Sequence, residues 1–202
     1  GVRKNYAEAI KWFRKAAEAE DVSAMLKLGE QLQSSETRPD GDDDQAARWD
    51  RRAADLGDAK AMVRLALLHI KGRGVARDDT AAATLFQSAA EAGDVNGLWN
   101  LGRFTMDGRG VNQDPEAANA LFRKAAGGGD SRGMHSLAYS YSLGRGLPQD
   151  FGLAAEWWRK AIKAGSRQSL SDLGVLYQKG RGVPQDDQRA LALFRKAAEA
   201  GI

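Results

Sequence analysis

Residues 93–129 read GDVNGLWNLGRFTMDGRGVNQDPEAANALFRKAAGGG, and the pieces of this stretch recur along the chain at a 36-residue step. The run Gly-Arg-Gly stands at 72–74, 108–110, 144–146 and 180–182. An Ala-Ala pair keeps the same step at Ala53-Ala54, Ala89-Ala90, Ala125-Ala126 and Ala197-Ala198, with Ala161-Ile162 as the one variant. A strict period of this size marks an array in which each unit buries its apolar face only against its neighbours.

One repeat predicts two helices. Gly93 suits the left-handed position after a helix and Asp94 the N-cap of the next. Helix A then runs over about 95–107, with Gly97, Leu98, Leu101, Gly102 and Thr105 on one face by the i, i+3, i+4 rule. Gly108-Arg109-Gly110-Val111 makes a tight connection whose glycines permit positive φ. Asp114 caps helix B, with Pro115 at its first position, and this helix buries Ala118, Leu121, Phe122, Ala125 and Ala126. Extended over the chain, the pattern predicts a leading helix B at about 5–19. Helix A is expected near 21–34, 58–71, 94–107, 130–143 and 166–179. Helix B is expected near 42–56, 78–92, 114–128, 150–164 and 186–200. The first pair is irregular: Ser34 to Asp44 lacks the Gly-Arg-Gly, holds one extra residue and predicts a longer acidic loop. Helix B also repeats a small site (Ala9, Ala46, Ala82, Ala118, Ala154, Ala190) before a large one (Trp12, Trp49, Leu85, Leu121, Trp157, Leu193). Next comes a second large site of Phe13, Asp50, Phe86, Phe122, Trp158 and Phe194, in which Asp50 is out of character.

The totals agree with a helical array. Of 202 residues only four are Pro, none is Cys, and the formal net charge is +3. Lack of Cys excludes thiol nucleophiles, thiolate zinc sites and disulfides. The small charge is no nucleic-acid signature, and no apolar run reaches the length of a membrane span. Gly1-Val2 falls in the register of Gly110-Val111 and Ile202 closes a repeat, so the sequence reads as a section of a longer array.

The last repeat carries the clearest family pattern: Leu173-Gly174, Tyr177, Gly180-Arg181-Gly182-Val183, Asp186, Ala190, Phe194, Lys196-Ala197-Ala198 and Gly201. It resembles the Sel1-like repeat family, relatives of the tetratricopeptide repeats, and the resemblance covers essentially all of residues 1–202. It implies an all-α, right-handed α/α superhelical solenoid. About five pairs of antiparallel helices plus a leading helix would form one domain, with helix A on the concave side. It also implies a scaffold or adaptor role in bacteria, in the periplasm or the cytoplasm and more in keeping with the former. Some relatives staple their helix pairs with disulfides; this chain must rely on packing.

Repeat proteins keep core positions alike and vary those that face a partner. On helix A of the quoted unit, Asn96, Trp99, Arg103 and Met106 lie away from the apolar face by the 100° step. Their counterparts differ most between copies: Lys60, Val63, Leu67 and Ile70 in the second pair, Arg132, His135, Tyr139 and Ser142 in the fourth. Trp, Tyr and Arg are the side chains most enriched at binding hot spots. Lys60, Val63, Leu67, Asn96, Trp99, Arg103, Arg132, His135 and Tyr139 are therefore expected to line a groove for a protein or peptide segment. The competing expectation is that some of them, Trp99 above all, pack against a neighbouring repeat.

Other chemistries find less support. Gly-Arg-Gly is neither a dinucleotide fingerprint nor a P-loop, and no strand precedes it. Asp40-Gly41-Asp42-Asp43-Asp44 lacks the ligand order of a calcium loop. His69 shares the register of Thr105, Tyr141 and Tyr177 and is expected in or near the core; His135 stands alone, so no metal site and no cofactor are expected. A row of bases on helix B (Arg14-Lys15, Arg51-Arg52, Arg123-Lys124, Arg159-Lys160, Arg195-Lys196) reads as a solvated face, with nucleic acid as the sharper alternative. Aromatic groove residues would also suit a sugar ring. No spacing of Ser, His and Asp singles out a catalytic triad, so a hydrolase is the least supported class and no catalytic residue is assigned. The terminal repeats are a further candidate surface, for self-association.

Overall fold

In the computed structural model, which describes residues 2–33 and 42–202, the described residues form eleven helices and no strand. A leading helix α1 (Val2–Glu18) is followed by five A–B pairs: α2 (Val22–Gln33) with α3 (Asp42–Asp55), α4 (Ala59–Lys71) with α5 (Asp79–Glu91), α6 (Val95–Asp107) with α7 (Pro115–Gly127), α8 (Ser131–Leu143) with α9 (Phe151–Lys163), and α10 (Gln168–Lys179) with α11 (Asp187–Glu199). These are the helices expected from the repeat, with α1 starting earlier than expected. Residues 34–41 of the irregular stretch, Asp40 and Gly41 among them, lie outside the described residues. Asp42, Asp43 and Asp44 open α3, where carboxylates favour the helix dipole. The chain divides into two compact units, residues 1–97 and 98–202.

Carboxylates start the helices. Asp21, Asp58, Asp94 and Asp130 accept amide hydrogen bonds at the entry of helix A. Asp78, Asp114, Asp150 and Asp186 do the same for helix B. Each cap satisfies donors that a helix terminus leaves without partners. The exception is α10, whose cap position holds Arg167 and carries no side-chain cap; Ser166 instead shares a hydrogen bond of 2.9 Å with Ser169.

Helix B meets the following helix A through small residues. Ala53, Ala89, Ala125, Ala161 and Ala197 are all essentially buried. A Cβ on Gly97 would lie 2.8 Å from Ala89 Cβ, and one on Gly133 would lie 2.9 Å from Ala125 Cβ. The second member of the Ala pair is less uniform: Ala54 and Ala126 are buried, Ala90 and its replacement Ile162 half-buried, and Ala198 exposed. Large side chains fill the opposite side: Phe86, Phe122 and Trp158 are buried, and the Phe122 ring occupies the space a side chain on Gly102 would take. The first large site is only partly covered, and Trp12 is 60% exposed.

The Gly-Arg-Gly turns close each pair. In the fourth pair Gly144 (φ +71°) ends α8 in the left-handed conformation, and Gly146 (φ +64°) backs onto the start of α7, where a Cβ would come within 2.6 Å of Pro115 O. Asn119 of α7 ties the same turn down, donating Nδ2 to Arg145 O at 2.7 Å. In the first unit Arg73 makes the corresponding link, donating to both carboxylate oxygens of Asp43 at 3.1 and 2.8 Å. Glu20 is the outlier, holding φ +66° in the register of Gly57, Gly93, Gly129 and Gly165.

Asp50 replaces the aromatic of its register and is fully buried. It fills the space beside Gly29, 2.7 Å from where a Cβ would stand. Arg64 Nη2 lies 3.2 Å from Asp50 Oδ1, in ion-pair contact but off the hydrogen-bond direction. Gln33 Nε2 donates to Asp50 Oδ2 at 3.3 Å, and Arg64 Nη1 donates to Leu26 O at 2.7 Å. Burial pushes the Asp50 carboxyl up from 3.8 to about 6, against the opposing pull of Arg64 and Gln33. The departure seen in the sequence is thus a polar plug that joins α2, α3 and α4.

Three outcomes are expected from these contacts. Gly146→Ala should lower stability by about 1–3 kcal/mol, because alanine is strained at positive φ and meets Pro115. Glu20→Gly should raise it by about 1 kcal/mol by relieving a left-handed residue; thermal melts moving the same way would contradict the assignment. For Asp50, the folded state holds its proton more tightly than the unfolded chain. That contribution to stability is complete below the unfolded value near 3.8 and is lost as pH rises through about 6. Relative to Asp50→Asn, the native chain should therefore lose about 2 kcal/mol between pH 4 and pH 7. Denaturant melts of both chains at the two pH values measure the difference, and parallel pH profiles would exclude it.

Candidate functional site

The second unit holds a cavity of about 290 Å³ walled by α6, α7, α8 and the turn after α8. Helix α6 supplies Trp99, Arg103 and Met106, α7 supplies Phe122, α8 supplies His135, Ser136 and Tyr139, and the turn supplies Arg145. Ligand pockets for small molecules span roughly 300–1,000 Å³, so this one holds an anchoring side chain better than a cofactor. Its floor is apolar, with Met106 and Phe122 buried. Its rim is open, with Arg103 exposed and Tyr139 48% exposed.

Each rim side chain is held by its neighbours. Trp99 is half-buried and donates Nε1 to Ser136 Oγ at 3.2 Å. The guanidinium groups of Arg103 and Arg132 lie 4.9 and 4.4 Å from the Trp99 ring centroid, a separation at which the ring's negative face attracts a cation. Arg132 is set there by Asp130, which also caps α8. Burial would raise the Asp130 carboxyl, but its bonds from Arg132 and the α8 amides outweigh that and hold it below its ordinary range. The His135 and Tyr139 rings are stacked, 6.5 Å apart and 16° from parallel. Arg145 donates to Met106 O at 3.1 Å and lies 3.5 Å from Asp107 Oδ1.

Behind the rim, His135 Nδ1 shares a hydrogen bond of 3.0 Å with Ser169 Oγ and lies 3.7 Å from Asp172 Oδ2. Burial pulls the His135 imidazole below its ordinary value, partly offset by the Asp172 charge. Burial likewise raises Asp172, partly offset by His135. Here a Ser, a His and an Asp do meet, but not as a hydrolytic relay. Both oxygens face the same ring nitrogen, whereas the relay needs Ser on one nitrogen and the carboxylate on the other. Ser169 is also fully buried.

The sequence-derived residues are distributed unevenly. Trp99, Arg103, His135 and Tyr139 line the cavity, and Arg132 packs on Trp99 just outside its lining. Lys60, Val63, Leu67 and Asn96 belong to the first unit. Val63 does not stand on an open face as expected: it is 9% exposed. Its register is shared by the half-buried Trp99 and His135, whose polar atoms bond side chains of the next helix A. Leu67, at 37%, is exposed like Arg103, Tyr139 and Val175 in its own register. Lys60 is exposed and Asn96 half-buried. Met106, read as groove-facing, is buried in the floor. Ser136 and Arg145 were not foreseen: Ser136 carries no hot-spot signal, and Arg145 is concealed by recurring in every Gly-Arg-Gly. His69 is nearly buried and bonds Ala76 O through Nδ1 at 3.1 Å.

Elsewhere bases of helix B lie near tryptophan rings. Lys15 lies over Trp12, Arg52 over Trp49 and Lys160 over Trp157. Among the described residues no three His, Asp or Glu side chains are grouped to hold a metal ion, and no helix is long and apolar enough to cross a membrane.

Tandem helix pairs with small-residue contacts, glycine turns and a variable helix A define an α-helical repeat protein. The chain belongs to the Sel1 repeat family, whose repeat matches residues 1–21, 22–58, 59–94, 95–130, 131–166 and 168–202. Sel1 repeat proteins are generally protein–protein interaction scaffolds and typically non-enzymatic. The chain is similar to the crystal structure of a protective antigen of uropathogenic Escherichia coli with an SLR fold, at 34% identity and a TM-score of 0.87, over 95% of this chain and 41% of that one. It is similar to a Sel1 repeat protein from Oxalobacter formigenes at 32% identity and a TM-score of 0.84, over 96% of this chain and 56% of that one. A sel1 repeat protein from Klebsiella pneumoniae matches at 26% identity and a TM-score of 0.62, over 95% and 93% of the two chains. The chain thus spans about half the length of the first two. No curated protein matches it.

The His135–Asp172 pair yields its own expectation. The Asp172 charge is what keeps the imidazole from falling further, so Asp172→Asn should lower the His135 titration midpoint below that of the native chain. NMR titration of the His135 imidazole in both chains would reveal it, and an unchanged midpoint would rule out the coupling.

Proposed function

We propose that this chain is a protein-binding scaffold that grips a segment of another protein at the helix A face of its second unit. The observation that carries this reading is the meeting of Trp99, Arg103, His135 and Tyr139, four side chains that vary between repeats, around one open cavity with an apolar floor. Core packing accounts for Met106 and Phe122. It does not account for an exposed Tyr139 or for an exposed Arg103 lying over an indole. Hot spots pair such aromatic and guanidinium groups around a desolvated pocket.

Other ligand classes suit the geometry less well. A sugar ring stacks on a free aromatic face, and two guanidinium groups already lie against Trp99. Single-stranded nucleic acid needs a row of exposed stacking platforms, and on helix B Trp49 and Trp157 are only half-exposed, each with one of the chain's own cations over its ring.

Trp99 is a poor single probe because its loss would also remove the Ser136 bond and inter-helix packing. Arg103→Ala with Tyr139→Ala is the cleaner test, since both side chains are exposed. The double variant should keep its melting temperature while losing at least about 2 kcal/mol of partner affinity, the scale of a hot spot. Capture of partners from the source organism, quantified by mass spectrometry for native and variant chains, should show specific loss of one protein. Equal capture by both chains would refute the site.

A further inference from the structure

We infer that the segment held at this cavity is acidic, presenting a carboxylate to Arg103 beside an apolar side chain seated over Met106 and Phe122. This rests on the groove reading above and names the chemistry of its partner. What matters is which cation at the cavity and its rim lacks a partner. Arg145 is occupied by Met106 O and lies beside Asp107. Arg132 is clamped by Asp130 through both its Nε and Nη2. His135 is held toward its neutral form by burial and faces Asp172. Arg103 is left over: it is exposed, lies on the Trp99 ring, and has no carboxylate within ion-pair distance among the described residues.

An arginine so placed is prepared for one kind of guest. Its fork presents paired N–H donors that match the two oxygens of a carboxylate. The indole beneath restricts the side chain before binding, which reduces the ordering cost at association. Arg103 carries a single charge and is the one arginine here without a carboxylate partner among the described residues, so a singly charged carboxylate matches it better than a doubly charged phosphoryl group. The apolar floor under the same rim takes the neighbouring aliphatic or aromatic side chain. A basic or neutral segment would leave Arg103 without a partner in a partly desolvated rim, a penalty that selects against it.

The test is selection of a random dodecapeptide display library on the immobilised full chain, run in parallel on Arg103→Glu and on Tyr139→Ala. The native chain should enrich Asp or Glu next to Leu, Phe or Trp. The Arg103→Glu chain should lose those sequences and favour Lys or Arg at the same place. In a selected peptide, exchanging the acidic residue for its amide should weaken binding about tenfold on the native chain, the scale of a charge-assisted hydrogen bond. On Arg103→Gln the same exchange should have little effect. Enrichment of apolar sequences that depend on Tyr139 but show no acidic preference would overturn the carboxylate inference and leave the groove reading standing. Selection that is indifferent to both variants would overturn the two together. Unchanged circular-dichroism melts of the variants exclude misfolding as the cause of either loss.

Discussion

The contact between alanine on helix B and a glycine or alanine on the next helix A is the constraint on which the rest of this structure depends. Ala89 against Gly97 and Ala125 against Gly133 leave no room for another methyl group. Backbones that approach this closely fix the spacing of a pair of helices, and the large residues on the other side must then fill a gap of set width. Phe122 over Gly102 and Phe194 over Gly174 are the result. The glycine turns belong to the same constraint, because a loop that lies directly on the preceding helix B, as Gly146 does on Pro115, has no space for a side chain.

A scaffold locked in this way frees the outer face of helix A from structural duty. The exposed register of Leu67, Arg103, Tyr139 and Val175 carries aliphatic, cationic and aromatic side chains without disturbing the pair beneath it. The neighbouring register of Val63, Trp99 and His135 is not free in the same sense. Val63 is buried, and Trp99 and His135 bond side chains of the next helix A, so those two serve packing and site together. Trp99 illustrates the double role: its nitrogen is spent on Ser136, while its ring supports Arg103. Asp50 shows how far the core itself tolerates change. An aromatic is exchanged for a carboxylate only because Arg64 reaches back to meet it and Gly29 leaves space, and the raised carboxyl marks the strain of that arrangement.

Most of the architecture was legible in the chain. The 36-residue step, the aspartate caps and the glycines placed the helices to within a few residues, because capping and left-handed turns are local requirements that one or two residues satisfy. The start of α10 drifted where Ser166 replaces the usual aspartate, as the same local rule demands. The site was legible in part. Trp99, Arg103, His135 and Tyr139 stood out through variation between copies, whereas Ser136, Arg145 and Asp172 did not, since nothing in their types or spacing announces a contact one repeat away.

By itself the sequence determined that this protein is an array of α-helical pairs, where each helix begins and ends, and which faces are small, large or variable. Those properties follow from periodicity and from short-range backbone chemistry. Only the tertiary structure decided that Val63 is buried while Leu67 in the same helix is not, that Asp50 has a cation to meet, and that Arg103 is the cation left over at the rim of the cavity. These outcomes depend on which side chain of one helix reaches which of the next, a matter of ångströms across a packed interface that the 100° step along a single helix does not contain.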